Sequence, residues 1–197
     1  MKIIVFIYLL IFYGLLGGVR SYILYKRTGV NPFKLKNDDS VQGFCLMIFK
    51  IVIVLISGLV LLYSFGGAYY SYVVPIPYLY DIWTLQLIGI LLSVFALVWC
   101  FIAQLQMNDS WRIGFDQAER TTLVTNGLFK YSRNPIFFGM LVSGFGLFLF
   151  FPSALTCITF TMSWISVSVQ IRLEEAYLLS IHGSTYEAYR SSVRRWI

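Results

Sequence analysis

The chain has 197 residues, 58% of them hydrophobic and only 12% charged, with a mean hydropathy of +0.75; soluble domains carry about a quarter charged residues, so a soluble globular protein is excluded. At this length one compact helical bundle fits with little room for a soluble domain, and continuous rather than alternating apolar runs speak against a β-barrel, leaving helices to satisfy every backbone group in lipid. The net charge of +6 requires no nucleic-acid partner, because the basic residues sit where anionic lipid headgroups lie.

In chain order, a length criterion of about 20 residues, relaxed to about 17, predicts an all-α integral membrane protein with five transmembrane helices over 3–19, 51–70, 82–105, 135–151 and 152–171. The first has its positive charge mainly after the apolar run, and Gly17-Gly18-Val19 is a weak cleavage site, so it is read as a retained helix and not a signal peptide. Turn signals at Gly29, Asn31-Pro32 and Asn37-Asp38-Asp39-Ser40 make 20–50 a loop with a short interfacial helix. Tyr69, Tyr70, Tyr72, Tyr78 and Tyr80, around Pro75 and Pro77, read as an interfacial aromatic belt. Between 107 and 134, Trp111, Arg112, Asp116, Glu119 and Arg120 mix charge signs beside the membrane, where positive charge alone would set topology. Phe150-Phe151-Pro152-Ser153 leaves the last two spans almost no loop, so they form a tight antiparallel hairpin with Pro152 in the first helical turn. Beyond Glu174 the helix continues to about Ile181 and breaks at Gly183. It resumes with Tyr186, Tyr189, Val193 and Trp196 at helical spacing, an amphipathic C-terminal helix in the headgroup layer.

Arg20, Lys26, Arg27, Lys34, Lys36 and Lys50 follow the first span, Arg112, Arg120, Lys130 and Arg133 the third, and Arg172, Arg190, Arg194 and Arg195 the fifth, with only Lys2 on the other side. The positive-inside rule then puts the N-terminus outside and the C-terminus in the cytoplasm, and a bacterial or archaeal inner membrane is expected. A three-span region over 1–110 precedes a cofactor-binding region over 111–197, within one structural domain. Cys45, Cys100 and Cys157 form no C-x-x-C and are read as packing residues, and the single His182 has no metal-binding companion. Gly139, Gly144 and Gly146, with Ser143, are read as close helix packing.

Two places concentrate polar chemistry. Asn134-Pro135 starts a helix, an N-cap asparagine and a proline at the first helical position, with Arg133 beside it; unpaired N–H groups and the macrodipole make such a start an anion site. Glu174 and Glu175 close the fifth span on the same side, and the hairpin makes the two places neighbours. Adjacent carboxylates on a helix point about 100° apart, so one faces a pocket while the other pairs with Arg172 or water.

With these residues the chain resembles the isoprenylcysteine carboxyl methyltransferase family and its relatives among membrane phospholipid methyltransferases. The family's L-V-x-x-G-x-Y-x-x-x-R-H-P-x-Y, then E-E and G-x-x-Y-x-x-Y, stands here as Leu123-Val124, Gly127, Phe129, Arg133-Asn134-Pro135-Ile136-Phe137, Glu174-Glu175, Gly183, Tyr186 and Tyr189. Asn134 replaces the histidine, Phe129 and Phe137 replace tyrosines, and Gln170 stands where the eukaryotic enzymes have a substrate-side arginine. The resemblance implies S-adenosylmethionine in a cytoplasm-facing pocket made by Leu123, Val124, Gly127, Phe129, Asn134, Pro135, Phe137, Glu174 and Glu175 and capped by the C-terminal segment. A side opening to the bilayer would admit a lipophilic small molecule or lipid, with Arg133 and Arg172 as the catalytic cations. Two other classes stay open, an NADPH-dependent membrane reductase of the sterol-reductase type and a non-catalytic membrane subunit derived from the family.

Overall fold

A computed structural model describes residues 2–29, 31, 38–73, 75–80, 82–111 and 122–197, the Asp109 side chain aside. Arg112, Asp116, Glu119, Arg120, Lys34 and Lys36 lie outside the described residues. Among the described residues every element is helical apart from one isolated bridge, so the all-α expectation holds. We number the helices α1 (Lys2–Thr28), α2 (Val41–Phe65), α3 (Trp83–Met107), α4 (Pro135–Phe150), α5 (Ala154–His182) and α6 (Ser184–Ser192).

Four of these, α1, α2, α3 and α5, are long and apolar enough to cross a membrane. The remaining expected span, the fourth in chain order and here α4, has 16 residues, about 24 Å at 1.5 Å per residue and shorter than a hydrocarbon core of about 30 Å. The segment expected as a loop after residue 19 is instead the end of α1, which bears Arg20, Lys26 and Arg27 and stops at Gly29 in the left-handed region (φ 69°). Within α1, Phe12–Val19 winds as a π-helix, a form usually confined to single turns. Gly14, Gly17 and Gly18 lie in it. At this level α3 reaches across: the Gln104 amide donates to the Leu16 carbonyl at 3.2 Å, and Arg20 Nη2 donates to the Gln104 carbonyl at 2.9 Å.

The short α4 is clamped to α3 by glycines. A Cβ on Gly146 would lie 2.6 Å from Ser93 Oγ and 2.8 Å from the Gly89 carbonyl, and one on Gly139 would collide with Cys100 Sγ. The glycine-packing expectation therefore stands, and Ser143 adds a 2.6 Å hydrogen bond to the Tyr8 hydroxyl of α1. The hairpin is as tight as expected, but Pro152 precedes the helix. Ser153 takes the N-cap, because its Oγ accepts from the Thr156 N–H while Thr156 Oγ1 accepts from the Ser153 N–H, a reciprocal capping box.

The two ends of the bundle are distinct. At one, Ser64 Oγ donates to the Lys2 carbonyl at 3.0 Å and the Ile76 N–H donates to Pro152 O at 3.0 Å. Tyr69, Tyr72 and Tyr78 are exposed there, as a belt requires. Tyr70 instead is buried beside Tyr63, which stacks on Phe151 at 5.2 Å. At the other end Arg27 bonds Asn108, and the Gln106 side chain accepts from the Leu128 N–H at 2.7 Å. All polar site residues gather at this second end.

Candidate functional site

The approach to α4 is a tight turn. Gly127 sits at φ 61°, and a Cβ there would collide with the Gln106 side chain. One 3-10 turn, Gly127–Lys130, buries Phe129, whose carbonyl accepts from the Tyr189 hydroxyl at 2.7 Å. Leu123 and Val124, half-buried, lead into this turn. Asn134 and Pro135 occupy the N-cap and first-turn positions as expected, yet the Asn134 side chain makes no capping bond. It turns instead toward α5 and donates to Glu175 Oε1 at 3.4 Å and to the Arg195 carbonyl at 3.2 Å. The Asn134 N–H is taken by Ser132 Oγ at 3.1 Å, which fixes the residue from both sides.

Glu175 is the centre of the cluster. Arg133 Nη2 lies 3.1 Å from Oε1, with both side chains under a tenth exposed, and Arg133 Nη1 donates to the Arg190 carbonyl at 2.7 Å. Arg195 forks onto the same carboxylate, Nε to Oε1 at 3.1 Å and Nη2 to Oε2 at 2.7 Å, a geometry that only a planar guanidinium supplies. This bond raises the Arg195 pKa above its ordinary value. The convergence expected from the hairpin is thus present, and one carboxylate of the pair faces the cluster. Glu174, half-buried, makes no hydrogen bond or ion pair there among the described residues.

Among the described residues Arg172 is not the arginine that pairs with Glu174 or Glu175. It is exposed and donates to the Ser168 carbonyl of its own helix at 2.6 Å, while the cations on the acidic pair are Arg133 and Arg195. Arg195 went unrecognised because it read as one more positive-inside charge, and nothing in its spacing tells that the chain doubles back. Gln170 is buried. Phe137 packs against the cluster of Leu141, Val167 and Ile171 on the apolar side of the site.

The expected amphipathic C-terminal helix is present as α6, with Tyr186 and Tyr189 on its buried face and the rest of its residues exposed, but it is shorter than the spacing of Val193 and Trp196 suggests. α6 ends at Ser192 and Val193 is extended (φ −121°). Tyr186 and Tyr189 are buried against the protein, and Trp196 leaves the helical stripe to stack on Trp164 at 5.9 Å. Only beyond Ser192 does the chain leave the helix, and there it turns Arg195 onto Glu175. Burial pushes the Tyr186 hydroxyl up to about 12 and raises that of Tyr189 as well. Two buried polar atoms here, Arg133 Nε and Tyr186 Oη, and His182 Nε2 at the end of α5 have no hydrogen-bond partner among the described residues. Buried polar groups normally find one.

Residues 87–180 match the model of the isoprenylcysteine carboxyl methyltransferase family, so the resemblance carried by the signature is shown over that stretch. Two curated relatives are protein-S-isoprenylcysteine O-methyltransferases, from Schizosaccharomyces pombe at 35% identity and from Dictyostelium discoideum at 36%, each over 72 residues or 36% of this chain. The matched stretch spans 30% of each relative's own length.

Proposed function

We propose that the chain is an integral membrane methyltransferase that takes its methyl group from S-adenosylmethionine and passes it to a lipophilic acceptor. The observation that carries this reading is the meeting of Arg133, Asn134 and Glu175 at 3.1 and 3.4 Å within or beside the stretch similar to the methyltransferase family. The residues fit the donor's chemistry. Glu175 would take an ammonium or ribose hydroxyl and Arg133 a carboxylate, both as charge-assisted bonds. The faces of Phe129, Tyr186 and Tyr189 suit a sulfonium, and Arg133 Nε and Tyr186 Oη, buried with no hydrogen-bond partner among the described residues, would serve a polar ligand. When bound, the cofactor supplies an electrophilic methyl group. Leu123, Val124, Gly127, Pro135 and Phe137 would complete the pocket wall, with Glu174 at its edge.

The chain's own work is then positioning. A carboxylate or thiolate acceptor needs no general base, so alignment of the acceptor with the methyl group and shielding from water supply the rate. The relatives are named for O-methylation of an S-isoprenylcysteine, which supports an isoprenoid carboxylate, with an isoprenoid-like thiol or a lipid as the other acceptor classes. Arg172, exposed on α5, is our candidate for orienting an acceptor carboxylate. The test is transfer of label from methyl-labelled S-adenosylmethionine, in vesicles, to an S-prenylcysteine acid or to phosphatidylethanolamine. We expect label in the prenyl acid, lost in Glu175→Gln, and in Arg172→Ala a fall in turnover about tenfold larger than any loss of cofactor affinity. An equal loss of both would remove Arg172 from the acceptor, and transfer to neither compound would count against the reading.

A further inference from the structure

We propose that Val193–Ile197 is a displaceable strap that holds both halves of this site closed, so that ligands enter by competing with the chain's own Arg195 and Trp196. The inference rests on the donor-site reading above and adds its regulation.

Five contacts converge on the Glu175 carboxylate: one from Arg133, one from Asn134 and three from Arg195. A carboxylate offers about four lone-pair sites, so none is left for a ligand while Arg195 stays. The next residue covers the apolar half. Trp196 stacks on Trp164, their planes 21° apart, and packs on Leu141, Val167 and Ile171 together with Phe49 and Phe137. Trp164 and Glu175 lie on one helix about 16 Å apart at 1.5 Å per residue, so the strap runs from the polar rim toward the middle of α5. An amphiphile with a cation or hydroxyl at one end and an apolar chain at the other would occupy the same track.

The strap is built to release. Its backbone is held by the Arg133 N–H on the Arg194 carbonyl at 3.0 Å and by Asn134 and Ser132 on the Arg195 carbonyl at 3.2 and 3.4 Å, and no helix follows Ser192 within it. The Arg195 side chain is 36% exposed, against 8% for Glu175, so water reaches the guanidinium that must leave. Its departure strands no buried charge, because Arg133 remains on Glu175 at 3.1 Å. Detaching either buried partner would be far more costly.

The test titrates wild type, Arg195→Ala, Arg195→Lys and Trp196→Ala in detergent with S-adenosylhomocysteine and follows amide hydrogen exchange. Removing the strap's hold removes the fraction of time the site is closed, so Arg195→Ala and Trp196→Ala should each tighten the dissociation constant about tenfold, with Arg195→Lys in between. In wild type the ligand should raise exchange at 193–197 while lowering it at 132–138. Unchanged or weaker binding in Arg195→Ala, or a fall in exchange at 193–197 on adding ligand, would make the segment part of the ligand's own surroundings and overturn the strap. Binding by none of the four proteins would overturn the donor-site reading, and the strap with it.

Discussion

Glu175 is under a tenth exposed and is met by two arginines and an asparagine, whereas its neighbour Glu174, rotated by about 100°, stands outside the cluster. Sequence alone made the pair legible, and with it Arg133 and Asn134, because chain topology obliges the start of α4 and the end of α5 to meet. Which glutamate turns inward, and which arginine answers it, depends on helix rotation and on a chain reversal after Ser192, neither of which leaves a spacing signal. Tyr186 permits a sharp prediction. Its hydroxyl is buried without a hydrogen-bond partner among the described residues and burial raises its pKa from 10.0 to about 12. The folded state therefore holds the proton more tightly than the unfolded chain, so its contribution is fully present below pH 10.0, the unfolded value, and is lost as pH rises toward 12. Tyr186→Phe should leave the melting temperature at pH 7 unchanged or higher, since an orphan hydroxyl is removed, and should reduce the loss of stability across that alkaline range. A large drop at neutral pH would show that the hydroxyl has a partner after all.

At the scale of elements, the apolar runs placed α3 within two residues and the α4–α5 hairpin almost to the turn, because hydrophobic length and the Pro-Ser break are local properties. Local caps shifted the rest: Ser40 starts α2 ten residues earlier than its apolar core suggests, accepting from the Gly43 N–H at 3.1 Å. The π-wound stretch of α1 has no sequence mark beyond its glycines. Close approach of α3 and α4 depends on Gly89 and Gly146, where a Cβ on Gly89 would sit 2.6 Å from the Gly146 carbonyl and 2.7 Å from the Phe150 nitrogen, both backbone atoms that cannot swing aside. Gly89→Ala should lower stability in detergent by about 1 to 3 kcal/mol, the usual cost of overpacking. Gly58→Ala in α2, with open space around the added methyl, should be neutral or slightly stabilising by helix propensity. Equal effects from the two would mean that the α3–α4 contact is looser than its geometry.

Across the whole molecule the charge is polarised. Arg27, Lys130, Arg133, Arg172, Arg190, Arg194 and Arg195 lie at the end that holds the site, and Lys2 at the other. We propose that the site faces the cytoplasm. A compartment reporter appended after Ile197 should then read cytoplasmic and one inserted within 75–80 external; the same reading from both would contradict this orientation. The cofactor site itself is tested most directly by calorimetric titration of the detergent-solubilised protein with S-adenosylhomocysteine. We predict saturable binding by wild type and by Lys26→Ala, which alters an exposed charge outside the cluster, and binding weakened by about 1 to 3 kcal/mol in Glu175→Gln and in Arg133→Ala, the cost of a lost charge-assisted hydrogen bond. Equal affinity in all four proteins, or a wild type that prefers NADPH, would contradict it.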